Sequence, residues 1–152
     1  MQVIKDQEII EDHWLHIADD PIPAEGRISV SAARWKAERE NLLARDGELG
    51  LRISPVDQID DFAGDLQHFQ LIGLEFPTFT DGRLFSIAAI LRRHYYYQGE
   101  IRALGGFIRD QIFFLSRVGV NSFEMNDTSD LEGALSALED FSVRYQTACD
   151  NG

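Results

Sequence analysis

Apolar and polar positions along this chain follow two alternating periods, and the switches between them outline the elements. Near the start, Val3, Ile4, Ile9 and Ile10 are strand formers around a turn at Lys5-Asp6-Gln7. Trp14 alternates with His13 and Leu15 as strand residues do, and the prolines and glycine of 21–26 then break the pattern. Ile28-Ser29-Val30 reads as a short strand, with Ser31 placed to cap a helix from Ala32 to about Arg45. Trp35, Leu42 and Leu43 fall on that helix's apolar face, and Gly47 stops it. Leu49–Ile53 is a strand, and the acidic stretch from Ser54 to Asp65 has room for one short helix. The near-continuous apolar run Phe69–Phe76 predicts a central strand buried on both faces. A helix follows from Asp81 to about His94, a strand over Glu100–Leu104, and a helix from Phe107 to Val118 that Gly119 ends. Asn121–Met125 is the last strand. Asp130 opens a final helix with the stripe Leu131, Ala134, Leu135, Leu138, Phe141 and Tyr145.

Strands alternating with helices predict right-handed βα units on a parallel sheet. The expected fold class is α/β: a short parallel sheet, either an open sandwich or a half-barrel, with a small N-terminal β segment. One domain is expected, with strands and a loop over 1–27 and βα repeats over 28–152.

Composition narrows the function classes. At 152 residues the chain can bury a core without a metal or disulfide. Asp and Glu number 26 against 14 Lys and Arg, a formal net charge of −12. Such a surface repels phosphate backbones and anionic membranes, and it would attract a basic protein partner. The lone Cys149 makes no internal disulfide and no cysteine-rich metal site. The acidic N-terminal stretch lacks signal-peptide character, and no apolar run approaches bilayer length. A cytoplasmic protein without a bound cofactor is expected.

The candidate chemistry lies in the strands. Each of four successive strands carries one charge: Arg52, Glu75, Arg102 and Glu124, with signs that alternate. Charges inside a parallel α/β sheet are shielded from water and need partners. Neighbouring strands could pair them, either as a structural network or as a polar site at the strands' carboxyl ends, where α/β proteins bind ligands. Arginines there could hold a small oxyanion bidentately.

Two strand-to-helix loops flank these charges. In the first, Thr80 or Asp81 can cap the following helix, with Arg83 beside its N-terminus. In the second, Gly105-Gly106 permits close approach of an anion to backbone amides, ahead of Arg109, Asp110 and Gln111. The two loops are expected to face each other across one rim. The second lacks the glycine spacing of a dinucleotide fingerprint and the lysine of a P-loop. His13 and His16 are offset by three and point to opposite faces of a strand. His68 and His94 have no partner at ligand spacing, so no metal is expected. No serine sits in a nucleophile elbow, which argues against an α/β-hydrolase.

The motifs LEFPTFTDGR, GEIRALG and RDQIFFLSRVGVNSFEM, in that order, resemble an uncharacterised bacterial family encoded beside assimilatory sulfite or nitrite reductase genes. Its members are sometimes labelled oxidoreductases without a defined reaction. The resemblance is strongest from Leu74 to Met125. Matching positions include Glu75, Thr80, Asp81, Arg83, Glu100, Arg102, Gly105, Arg109, Asp110, Gln111 and Glu124. Two departures stand out: Gly106 where an acid is frequent, and Val118 where cysteine is frequent. No catalytic residues transfer. The resemblance implies a link to sulfate assimilation; with the acidic surface and the lack of cofactor motifs, the leading expectation is an accessory protein of assimilatory sulfite reduction that binds the reductase or a component that feeds it electrons. The alternative from the residues is a small α/β enzyme acting on an oxyanion-bearing metabolite at the Arg/Glu cluster. A flavin-bearing redox protein is the third reading.

Overall fold

A computed structural model describes residues 2–76, 83–105, 111–125, 131–136 and 138. The expected α/β class is observed, and the sheet is a curled half-barrel rather than an open sandwich. Its strands are β1 (Gln2–Lys5), β2 (Glu8–Glu11), β3 (Leu15–His16), β4 (Ile28–Ser31), β5 (Leu49–Ile53), β6 (Leu71–Phe76), β7 (Glu100–Gly105) and β8 (Ser122–Met125). Their spatial order is β2-β1-β8-β7-β6-β5-β4-β3. From β3 to β8 every pairing is parallel and every step goes to the next strand in sequence. Winding in one direction puts the described helices on one side of the sheet and rolls it up, with no reversal point of the doubly wound kind among the described strands. The N-terminal hairpin joins antiparallel beside β8.

The hairpin explains how far the sheet curls. β2 and β3 form opposite edges, yet only residues 12–14 separate them in sequence. Four Cα steps from Glu11 to Leu15 reach at most about 15 Å. The two edges therefore lie close together, and Asp12-His13-Trp14 straps one to the other.

The helices are α1 (Ala32–Ala44), α2 (Arg83–Arg93) and α3 (Ile112–Arg117), with further helical residues over 131–136. Ser31 caps α1 as expected, its side chain accepting from the Arg34 amide at 3.2 Å. Leu43 is a correction: it is 38% exposed, and Trp35 and Leu42 alone carry the buried face of α1 with Ala32. Trp35 meets Phe69 edge-on at 4.8 Å, and its Nε1 donates to Asp65 at 3.0 Å. The acidic stretch after β5 forms a 3-10 turn at Ile59–Phe62, and a second turn at Leu66–His68 delays β6 to Leu71.

Period-2 alternation then gives the sheet two characters. Leu51 and Ile53, Ile72 and Leu74, Ile101 and Ala103, and Phe123 share one face by register and are buried in the core with Leu84, Ala88, Leu91, Ile112 and Leu115 of the helices. The opposite, concave face carries Ser29, Arg52, Glu75, Glu100, Arg102, Ser122 and Glu124. No helix among the described residues is long and apolar enough to cross a membrane.

Candidate functional site

The concave face is filled by a continuous chain of polar contacts. At its centre is Arg102 of β7, only 1% exposed. Its Nε and Nη2 donate to Glu100 at 3.0 and 2.8 Å, and Nε also reaches Ser122 Oγ at 2.8 Å. Nη1 meets Glu124 at 2.9 Å and Asp12 of the strap at 3.0 Å. Burial alone would push the Arg102 pKa down; Glu100 and Asp12 more than reverse this, and the net shift is upward. Lys5 approaches the other oxygen of Glu100 at 3.5 Å.

From Glu124 the chain runs to His16. His16 Nε2 lies 3.0 and 3.1 Å from the two carboxylate oxygens, and Nδ1 lies 2.6 Å from Ser29 Oγ. The register His16↔Ser29 on adjacent strands produces the second contact. Burial pushes the Glu124 carboxyl up, but the His16 and Arg102 contacts outweigh it and leave the pKa lowered. Ser29 Oγ in turn accepts from Arg52 Nη1 at 2.7 Å. Arg52 Nη1 and Nη2 also donate to the carbonyls of Ser29 and Ile17, each at 2.6 Å, and Nε donates to Glu75 at 2.9 Å. The four charges singled out from sequence thus lie on one connected path. Arg52 pairs directly with Glu75 and Arg102 with Glu124; His16 and Ser29 join the two pairs.

Ser29 is fully buried. With its hydroxyl donating to Nδ1, His16 donates from Nε2 to Glu124 and every group is satisfied. Ser29→Ala leaves Nδ1 without a partner, and a loss of about 1–2 kcal/mol in denaturant-measured stability is expected. No loss would mean that the hydroxyl is not the link between the two pairs.

A pocket of about 460 Å³ opens at the carboxyl ends of these strands. His16, Arg52, Ser54, Glu75 and Glu124 supply its polar lining, with Phe76, Leu104, Pro55 and Ala18 between them. Gly105 borders it with φ +93°, and a Cβ there would press on the Phe76 carbonyl oxygen at 3.0 Å, so β7 must end in glycine. Hollows of similar size lie beside α1 and beside Tyr95–Gly99, but neither gathers charges from several strands.

The arginines are less available than a free anion site requires. Arg102 meets three carboxylates and does not line the pocket, and Nε, Nη1 and Nη2 of Arg52 each already meet a protein acceptor. A bidentate grip on an oxyanion would break these contacts. The most open of the four is Glu75, whose side chain is 44% exposed.

Arg83 stands at the start of α2 and Gln111 just before α3. Thr80, Asp81, Gly106, Arg109 and Asp110 lie outside the described residues, as does the expected facing of the two loops. Sequence reasoning missed Asp12, His16, Ser29 and Ser122. The strand expected through His13 and Trp14 is a correction: residues 12–14 form the strap and only Leu15–His16 is strand, so His13 is exposed on the strap while His16 alone lies on the concave face and joins acids from other elements. The donor atoms of Asp12, His16 and Glu124 all lie within 4.8 Å of one another.

A family model described as "Bacterial protein of unknown function (DUF934)" matches residues 50–152. This span holds Arg52, Glu75, Glu100, Arg102 and Glu124, but not the strap or Ser29. No curated protein matches the chain.

Proposed function

The chain belongs to DUF934, a bacterial family of unknown function, and from that premise we propose that it is an accessory protein of assimilatory sulfite reduction whose working part is the polar pocket of the half-barrel. The observation that carries this reading is the pocket itself: strands within the family region bring Arg52, Glu75 and Glu124 to its lining, at the end of the sheet where α/β proteins place their ligands. The sulfite connection rests on the motif resemblance. The surplus of acidic residues, 26 against 14 basic ones, suits a basic docking surface on the reductase or its electron donor.

A second reading is favoured by His16. An imidazole hydrogen-bonded at both nitrogens and lining a pocket is placed for proton transfer. On this reading the protein is a small α/β enzyme that turns over an oxyanion-bearing metabolite at the Arg/Glu cluster, where Arg52 would exchange its contact with the exposed Glu75 for the substrate.

A strain lacking the gene, with no paralogue, is expected to grow poorly on sulfate as sole sulfur source and to recover with cysteine. Normal growth on sulfate would overturn the sulfite reading. Glu75→Gln should fail to complement if the pocket is the working part, because that side chain is exposed and its loss spares the core. Co-purification of sulfite reductase supports the accessory role, whereas turnover by the purified protein alone supports the enzyme.

A further inference from the structure

Three carboxylates converge at the centre of the concave face with little solvent. The side chains of Asp12, Glu100 and Glu124 are 6%, 8% and 12% exposed. Among the described residues, the permanent cations touching them are Arg102, which meets all three, and Lys5, which meets Glu100. One negative charge among the described residues therefore remains, at the Asp12–Glu124 end, where His16 Nε2 faces Glu124. Uncompensated buried charge is costly, so this end calls for a further cation.

We propose that Asp12, His16 and Glu124 form a binding site for a divalent transition-metal ion. Two carboxylate oxygens and one imidazole nitrogen are a mixed set that suits Zn²⁺, Mn²⁺ or Fe²⁺ better than the all-oxygen preference of Ca²⁺ or Mg²⁺. The donor atoms lie within 4.8 Å of one another. Ligand distances of about 2.0–2.2 Å allow opposed donors about 4.4 Å apart, so a shift of a few tenths of an ångström closes the site.

The surroundings hold these donors as outer partners hold metal ligands. Arg102 Nη1 steadies one oxygen of Asp12 and one of Glu124, leaving the second oxygen of each carboxylate. Ser29 Oγ, fixed by Arg52, lies 2.6 Å from His16 Nδ1. Binding the ion exchanges the tautomer of the metal-free network: the ring proton moves to Nδ1, where Ser29 Oγ accepts it, and Nε2 turns its lone pair to the metal. His16 and Glu124 also line the pocket, so three protein ligands leave coordination positions open to it.

The strap gives the site a second consequence. Asp12 comes from residues 12–14, His16 from β3 at one sheet edge, and Glu124 from β8 beside the hairpin. An ion held by all three would pin the two edges together and should raise the melting temperature.

The test is isothermal titration of the chelator-treated full-length protein with Zn²⁺ and with Mn²⁺, alongside thermal unfolding. One ion per chain is expected, with a dissociation constant below about 10 µM and a higher melting temperature. His16→Ala and Asp12→Asn should each weaken binding at least ~10-fold. His13→Ala, which removes an exposed histidine of the strap, should leave it unchanged. Should a variant fail to fold, the visible spectrum of the wild-type protein loaded with Co²⁺ reports mixed nitrogen and oxygen ligation directly. Absence of saturable binding at about 1 mM metal, or binding that survives His16→Ala undiminished, would overturn the proposal.

Discussion

Arg102→Ala is expected to cost at least ~3–5 kcal/mol of folding stability, the range found when a buried ion pair loses one partner. The magnitude follows from what would be stranded. Glu100, Glu124 and Asp12 all lie at or below 12% exposure, and all three meet this one guanidinium. Ser122 Oγ loses a donor as well. A typical domain has only about 5–15 kcal/mol in total, so this single change brings the protein close to unfolding at 25 °C. Arg102→Lys should recover part of the loss, since one ammonium restores charge but cannot reach three carboxylates in the same plane. Urea denaturation of the two variants checks this. A loss below about 1 kcal/mol for Arg102→Ala would mean that the carboxylates relax into water and that the network is not closed as described.

Much of that network could be read from strand patterns, because the side-chain period of a strand is 2 and the strands are neighbours in sequence order. Arg52, Glu75, Arg102 and Glu124 each interrupt an apolar run, and parallel register puts them on one face. Glu100 and Ser122 were legible by the same rule, each two residues before a marked charge and therefore on its side of the sheet. The half-barrel was legible only as one of two architectures. What separates it from the open sandwich is strand order, and periodicity is a local property that carries no order.

Asp12, His16 and Ser29 were hidden for a different reason. Ser29 looked like an ordinary small residue in a short strand. His16 looked like one of two histidines on opposite faces of a strand, but only His16 is on a strand and His13 belongs to the strap. Their roles come from the strap, a three-residue connection between strands that pair at opposite edges of the sheet. Nothing in residues 12–14 announces that crossing. It exists because the sheet has already curled, and the curl sums the twist of eight strands. The misplacement of Leu43 has a smaller cause: Trp35 and Leu42 already fill the space between α1 and the sheet, and the neighbouring position turns outward.

Glu100→Gln is expected to cost about 2 kcal/mol at pH 7, in the range for a buried hydrogen bond to a charged group, and less as the solution is acidified. Arg102 keeps Asp12 and Glu124 in this variant, so no buried cation is left alone and the cost stays below that of Arg102→Ala. Burial by itself raises the Glu100 pKa; the charge of Arg102, the Ser122 hydrogen bond and Lys5 outweigh it, and the folded value lies below the ordinary 4.5. A carboxyl lowered in the folded state binds protons more readily when unfolded, so it stabilises the protein fully above the unfolded pKa. That stabilisation fades as pH falls through the folded value. Wild type and Glu100→Gln should therefore differ most at neutral pH, and the gap should start to close as the pH falls past the ordinary 4.5 and go on closing down through the lowered folded value. Thermal unfolding of both proteins between pH 7 and pH 3 measures the gap. A gap that stays constant over this range would show that Glu100 contributes through shape and hydrogen bonding alone, with its charge carrying no weight against Arg102.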